Sequence, residues 1–403
     1  MDCMKTFLTE SKKALSNLWR YQKVCVVLGN STCDLDSAVC ALVQGLYEYL
    51  DAKPGPETYY LAVIPLMNIP RKEYRVKTEV TYFFKRYDIP PDLLTFRDEI
   101  DLKELQKSAA SSLDVVLVDH HTLSEGDDFL KDSVIKVIDH RPRDPAWPWP
   151  NIDVCIETVG SCATLVAKRF LVEHLPIINS DIANLLRGPI LIDTCNLSKE
   201  ANRATPTDLE TLKKLEDIAC PIHNRDNEYD GLIQAKNDIS ELSLDDLLIR
   251  DVKEVAGVPI VGFPILVRKF IESPGVFDAI CNFAEARKAR IVFLLGMLVE
   301  SDQIRRDIAI FSLSSNPDTT KYSYAGTAQR NFHKDFEKLR ILIFGSSDPD
   351  LQLYDGSTFI DEHGRFEMLH VNQGNLRVSR KQIIPLVRNM MQELFDIAWI
   401  RGT

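Results

Sequence analysis

The sequence has no Cys-X-X-Cys pair, no excess of basic residues, no internal repeat and no apolar run long enough to cross a bilayer. Each absence removes a class of function. Nine cysteines are scattered without a framework, and several, such as Cys25 and Cys155, sit inside apolar runs. They read as reduced intracellular thiols that serve mostly as packing residues. The net charge of −11 argues against a nucleic-acid binder, because a phosphate backbone demands a basic face. Small anionic substrates stay open, since they need only a local positive site or metal ions. The longest strongly apolar run, Ile291–Val299, falls far short of the ~20 residues that a spanning helix requires, so no membrane role is expected. Residues 2–20 carry Asp2 and Glu10 among lysines, which fits an amphipathic helix better than a signal peptide. A soluble cytoplasmic protein is the expectation, with a mitochondrial presequence as the weaker alternative.

What is present is material for more than one core. A chain of 403 residues, 45% of them apolar, is too long for one ordinary core and predicts two domains. The first half alternates short β-branched runs (VCVVLG, YLAVIPL, VVLV, VIKVID) with helical periodicity, as in SAVCALVQGLYEYL and TLVAKRFLVEHL. Short continuous apolar strands between helices predict a parallel sheet covered on both faces. PILID (189–193) reads as another buried strand or strand-like end. IACPIHNRDNEYD (218–230) reads as a linker. Beyond it, VPIVGFPILV, ARIVFLLGMLV and DIAIFSLSS read as strands, and RKQIIPLVRNMMQELF reads as a closing helix kinked or offset near Pro385. The expected division is a first domain over 1–215, a linker over 216–228 and a smaller α/β second domain over 229–403.

The chemistry gathers at the predicted carboxyl ends of the strands, where ligands of open α/β sheets sit. VCVVLG runs into Asn30-Ser31-Thr32-Cys33-Asp34-Leu35-Asp36, VVLV into Asp119-His120-His121, VIKVI into Asp139-His140-Arg141, and PILI into Asp193. Any one of these carboxylates has an ordinary reading: Asp34 or Asp36 serves equally well as an N-cap, and Asp139-His140-Arg141-Pro142 as a turn. Several together on one rim would repel one another unless cations remove the penalty. Oxygen ligands with one or two imidazoles suit Mg²⁺ or Mn²⁺ better than a thiolate-rich zinc site. A pair of such ions serves phosphoryl chemistry. Gly160-Ser161-Cys162 opens a helix and reads either as an anion-binding N-terminus or as a tight turn with a serine cap. PRDPAWPWPN (142–151) reads as a stiff exposed loop, its tryptophans either partner-binding or packed. Cys33 and Cys195 lie beside the proposed ligands but are not expected to be nucleophiles. His174, His223, His333, His363 and His370 are assigned no chemistry.

In that order and spacing, GNSTCDLDSAVCAL, LVDHH, VIDHRP, ETVGSCATL and ILID resemble the DHH phosphoesterase superfamily, and within it the branch of animal prune proteins and exopolyphosphatases. PLMNIPRKEYRVKTEV, FRDEIDL, LIQAKNDISEL and LRVSRKQIIPLVR extend the likeness over most of the chain. The resemblance implies an N-terminal parallel-sheet DHH domain with a DHH-associated lid domain behind it, and substrate between the two. It implies two divalent ions, Mg²⁺ or Mn²⁺, held by Asp34, Asp36, Asp119, His140 and Asp193, with Asp119 bridging. His120 and His121 complete the signature and are expected to orient the site. Ser379, Arg380 and Lys381 match the lid's basic clamp, suited to phosphate oxygens; the bland reading of Arg380 and Lys381 is a solvated helix start. Lys236 is a weaker match.

Two positions depart from the pyrophosphatases of the superfamily, which carry histidine where this chain has Asn30 and Arg141. An amide is a weaker ligand and arginine is none, so one metal position is expected to be poorer in nitrogen. Arg141 is expected instead to hold substrate phosphate. The implied activity is a short-chain exopolyphosphatase in which a metal-bridged hydroxide attacks the terminal phosphorus and releases orthophosphate. Asp34, Asp119, His120, His140 and Arg141 are the expected catalytic residues. The alternatives are a 3′,5′-cyclic nucleotide phosphodiesterase and an interaction protein that binds nucleoside diphosphate kinase.

Overall fold

The computed structural model describes residues 1–51, 60–108, 111–124, 126–172, 178–219, 224–300, 303–313, 332–362 and 364–400. The chain divides into two compact units, Met1–Asp238 and Ile239–Thr403.

The first unit opens with α1 (Asp2–Leu15), followed by β1 (Lys23–Leu28), α2 (Leu35–Asp51), β2 (Leu61–Met67), α3 (Thr78–Arg86), β3 (Thr95–Phe96) and α4 (Leu102–Lys107). Three strands come next, β4 (Ser112–Val118), β5 (Val134–Asp139) and β6 (Asp153–Ile156), then four helices, α5 (Cys162–Val172), α6 (Ser180–Asp193), α7 (Pro206–Ile218) and α8 (Arg225–Asn237). The sheet is six-stranded in the order β3-β2-β1-β4-β5-β6, and every pairing is parallel. Period-two alternation builds both faces. Cys25 and Val27 face the helices α2, α5 and α6, in a core with Leu42, Leu165 and Leu186. Val24, Val26 and Leu28 enter the opposite core with Leu102, Leu117 and Leu130. Strand order reverses between β1 and β4, so the crevice beyond their carboxyl ends is the topological switch point at which such sheets bind ligands.

Three expectations change here. PILID is not a strand: α6 continues through Pro189 to Asp193, and its residues 182–192 are all buried. A continuous apolar run of this length reads alike as buried strand or buried helix. The expected linker is not where compactness breaks, because α8 packs on α3 and α6 and belongs to the first unit. Arg187 on α6 is fully buried and pairs through Nη1 with Glu228 of α8 at 3.1 Å, while Tyr87 donates to the same carboxylate at 2.7 Å. Residues 220–223 of that stretch lie outside the described residues, as do His174, His223 and His363. VPIVGFPILV, finally, is split between a strand and a helix of the second unit.

That unit comprises α9 (Leu244–Arg250), β7 (Val252–Val255), β8 (Val258–Phe263), α10 (Val267–Ile271), α11 (Val276–Ala286), β9 (Ile291–Glu300), β10 (Gln303–Leu313), α12 (Phe332–Phe344), β11 (Leu353–Ile360), β12 (Phe366–Gln373) and α13 (Arg380–Ile400). Its sheet, β11-β12-β10-β9-β8-β7, is mixed: β8 and β9 run parallel and the remaining pairs antiparallel. In β9 the run Ile291–Leu295 is core, whereas Met297 and Val299 are exposed. Buried Asp307 caps α10, accepting the N–H groups of Val267 and Arg268 at 2.8 Å each, and holds His370 Nε2 at 2.9 Å. His333 pairs with Glu367. Both histidines have structural partners within this unit. Among the described residues, no helix is long and apolar enough to cross a membrane.

Candidate metal centre

The ends of β1, β4 and β5 are in register, since Leu28 pairs with Leu117 and Leu117 with Val137. The residues that follow therefore arrive at one level. Gly29 lets the β1 loop lie against α2: a Cβ there would fall 2.7 Å from Ser37 Oγ, the atom that accepts the Asn30 N–H at 2.6 Å. Asp119 adopts a left-handed backbone, φ 59°, which aspartate tolerates better than most residues. Its own N–H bonds the Ile138 carbonyl at 2.9 Å, so the turn that ends β4 is tied to β5.

Asp36, Asp119 and His140 form the centre, each offering one ligand atom within 4.8 Å of the others. Asp36 and Asp119 are almost wholly buried. Asp36 sits at the N-terminus of α5, where it accepts the Cys162 N–H at 2.6 Å and the Ala163 N–H at 2.8 Å. The Gly160-Ser161-Cys162 turn thus does present N–H groups to an anion, and that anion is Asp36 itself. Asp34 caps its own helix, accepting the Ser37 N–H at 3.1 Å. The capping readings and the metal reading coexist, because each carboxylate oxygen has a second lone pair.

Around Asp119 the donors converge. Asn30 Nδ2 donates to Oδ2 at 2.6 Å, Arg141 Nη1 donates to Oδ1 at 2.9 Å, and His140 Nε2 lies 3.3 Å from Oδ1. Asn30 Oδ1 is taken up by Thr32 and Cys33, so its amide faces the site as a donor. Arg141 also contacts Asp139 Oδ1 at 3.0 Å, and its side chain is 44% exposed. His140 Nδ1 meets the Val159 carbonyl at 3.0 Å. A carbonyl only accepts, so Nδ1 carries hydrogen and Nε2 is directed to the centre, the arrangement that metal-binding histidines use.

Burial and mutual repulsion raise carboxyls of the site. Burial, and then the Asp36 charge, push the Asp119 carboxyl up to about 7 against the pull of His140 and Arg141. Burial raises Asp36 as well. Burial alone would lower the His140 imidazole, but the Asp119 bond and the charges of Asp36 and Asp119 outweigh it and raise it to about 9. Asp193, at the end of α6, is raised well above the usual carboxylate range by burial and then by Asp36, Asp34 and Asp119; the Lys236 charge opposes this. Its Oδ2 is buried with no hydrogen-bond partner. Burial pushes the Cys33 thiol up to about 12, which leaves it without nucleophilic character.

Of the remaining expected residues, His120 bonds the Val118 carbonyl through Nδ1 at 2.9 Å, and burial lowers its imidazole below the ordinary value. Ser379 caps α13 together with Gln382. Arg380 pairs with Asp251 at 2.8 Å, and Lys381 is exposed; all three belong to the second unit. Of the two readings of the loop tryptophans, the packed one holds for Trp149, which is buried; what sequence reasoning missed is its bond, the indole N–H donating to the His121 carbonyl at 2.7 Å. The loop that carries it is not simply exposed. No spacing signals this contact; only the alternation of proline and tryptophan hints at a packed strap.

Residues 230–390 match the DHHA2 domain. The exopolyphosphatase PRUNE1 of Bos taurus is 31% identical over 98% of this chain and 80% of its own length. The Homo sapiens protein of the same name is 32% identical, over 92% and 76% respectively. The chain belongs to the prune branch of the DHH phosphoesterase superfamily. Its fold is also that of a solved Methanococcus jannaschii protein described as a family II inorganic pyrophosphatase, with a TM-score of 0.52, 17% identity, and coverage of 91% of this chain and 99% of that one. Within this prune-branch chain, the DHH motif is Asp119-His120-His121 and its partner motif is Asp139-His140-Arg141.

Proposed function

We propose that the chain is a metal-dependent hydrolase of phosphoanhydride bonds that releases orthophosphate from short-chain polyphosphate. The observation that carries this reading is the Asp36–Asp119–His140 cluster with its two buried carboxylates, joined electrostatically by Asp34 and Asp193. The residues fit divalent cations. The donors are carboxylate oxygens and one imidazole nitrogen, a set suited to Mg²⁺ or Mn²⁺. Raised carboxyls and an unpartnered buried oxygen mark a site that cations would relieve. Asp36, Asp119, His140, Asp193 and Asp34 would hold them, and two ions are the natural complement. Divalent cations supply Lewis-acid activation of water and neutralise phosphate charge.

The chain's own residues do the rest. Asn30 and Arg141 fix the orientation of Asp119. The partly exposed Arg141 side chain receives phosphate oxygens, where charge spreads as phosphorus is transferred. Ser379, Arg380 and Lys381, at the start of their helix, are proposed to bind phosphate oxygens. The names of the PRUNE1 relatives support polyphosphate over phosphoesters.

The test offers tripolyphosphate, tetrapolyphosphate, pyrophosphate and cyclic AMP to purified protein with Mg²⁺ or Mn²⁺, beside Asp119→Ala. Orthophosphate release from the linear polyphosphates that the variant lacks is the expected result. Preferential turnover of cyclic AMP would transfer the reading to a cyclic-nucleotide phosphodiesterase. Absence of variant-sensitive turnover on all four would overturn the catalytic reading in favour of an interaction protein, for which nucleoside diphosphate kinase is the partner to try.

A further inference from the structure

His121 occupies the second histidine position of the DHH motif, yet both its ring nitrogens are already committed. The imidazole is buried. Nε2 lies 2.9 Å from the backbone nitrogen of Asp144. An amide N–H can only donate, so Nε2 is an acceptor there. Nδ1 therefore carries the hydrogen, and it meets Asp139 Oδ2. The backbone carbonyl of His121 in turn accepts the Trp149 indole N–H at 2.7 Å.

Asp139 is fully buried, and its other oxygen serves the active residues. Oδ1 accepts the His140 N–H at 2.8 Å, the Arg141 N–H at 3.3 Å and Arg141 Nη1 at 3.0 Å. A continuous chain of hydrogen bonds thus leads from the 142–151 loop, through His121 and Asp139, to the two residues that follow β5. The loop is itself braced: Ala146 N–H bonds Asp144 Oδ1 at 2.8 Å, and Trp147 stacks on Trp149 with centroids 5.4 Å apart.

We propose that His121 is a positioning residue. As the neutral Nδ1–H tautomer it locks the Asp139 carboxylate, which sets His140 and Arg141, and it ties that pair to the proline–tryptophan strap. It neither binds a cation nor moves a proton. Two arguments carry the assignment. No lone pair of the ring is left over for a cation, and Asp139 has no exposed surface through which solvent could replace the His121 hydrogen bond. Removing His121 leaves a buried carboxylate oxygen unsatisfied, which disturbs the same carboxylate that orients Arg141. The proposal rests on the metal-centre reading given above, and its test does not depend on turnover.

Histidine side-chain nitrogen NMR on the wild-type protein reads the tautomer directly. At constant pH, the His121 nitrogens should report hydrogen on Nδ1 and stay in place as Mg²⁺ is added, while those of His140 move. Hydrogen on Nε2, or a His121 resonance that moves as a ligand's would, overturns the proposal. The second readout is Mn²⁺ affinity, from the electron paramagnetic resonance of free Mn²⁺. His121→Ala should weaken binding by up to about 10-fold, the low end of what losing an outer partner of a metal ligand costs, because Asp139 stands between His121 and the ligand His140. His121→Asn, whose amide can still donate to Asp139, should recover most of that loss. Unchanged Mn²⁺ affinity in a folded His121→Ala protein, or an asparagine variant no better than alanine, overturns it. If polyphosphate hydrolysis itself fails, the tautomer and the Mn²⁺ series still decide the role of His121.

Discussion

Asn30 Nδ2 donates to Asp119 Oδ2 at 2.6 Å, from the end of one strand to the end of its neighbour across the point where strand order reverses. The same amide uses its oxygen to hold Thr32 and Cys33, so one side chain shapes the β1 loop and orients the central carboxylate. Asn30→Ala should strip Asp119 of a donor in a buried setting and cost roughly 1–3 kcal/mol of stability. Denaturant unfolding of the first unit checks this. A loss well below that range would mean that water replaces the amide.

Asp36 and Asp193 should respond oppositely when cations are removed. Asp36 caps α5 through two N–H groups, so Asp36→Ala in chelator should destabilise by ~1 kcal/mol, the usual worth of a cap. Asp193 Oδ2 has no partner, and its carboxyl is repelled by Asp36, Asp34 and Asp119. Asp193→Ala in chelator should therefore leave stability unchanged or raise it. With Mg²⁺ present, both variants should lose the stabilisation that ligand binding gives the wild type. Thermal melts with and without Mg²⁺ separate the two cases.

Acid sensitivity should have a contribution far from the metal centre. The Glu99 carboxyl is opposed by partial burial, but its bonds to Arg71, Lys12 and the Phe96 N–H prevail and hold it at about 2. A carboxyl lowered on folding contributes stability above its ordinary value of 4.5, and that contribution fades as pH falls toward about 2. The stability difference between wild type and Glu99→Gln should therefore be constant near neutrality and shrink below pH ~4.5. Denaturant curves at a series of pH values check the sign.

Much of the first unit was legible from local pattern. VCVVLG, VVLV and VIKVID are strands because β-branched runs of that length, bounded by helices, can bury both faces only within a parallel sheet. The acidic and imidazole residues that terminate them reach one rim because parallel strands point their carboxyl ends the same way. PILID was not legible, because a fully buried helix shows the same unbroken apolar run as a buried strand. The end of the first unit was not legible either: α8 is polar in sequence, and long-range contacts such as the Arg187–Glu228 pair, the Tyr87–Glu228 bond and packing on α6 and α3 attach it to the preceding helices.

The sequence by itself determined which residues stand at the ends of apolar segments as candidate ligands: Asp34, Asp36, Asp119, His140 and Asp193. Residue type and strand polarity are local properties. The tertiary structure alone decided how those residues divide the work. Asp36 became the cap of a helix 126 positions away, Asn30 turned its donor rather than its acceptor to Asp119, and His121 spent both nitrogens on Asp139 and Asp144. Those choices depend on which buried donor meets which buried acceptor, and that matching is set by packing between segments distant in the chain, which no local spacing encodes.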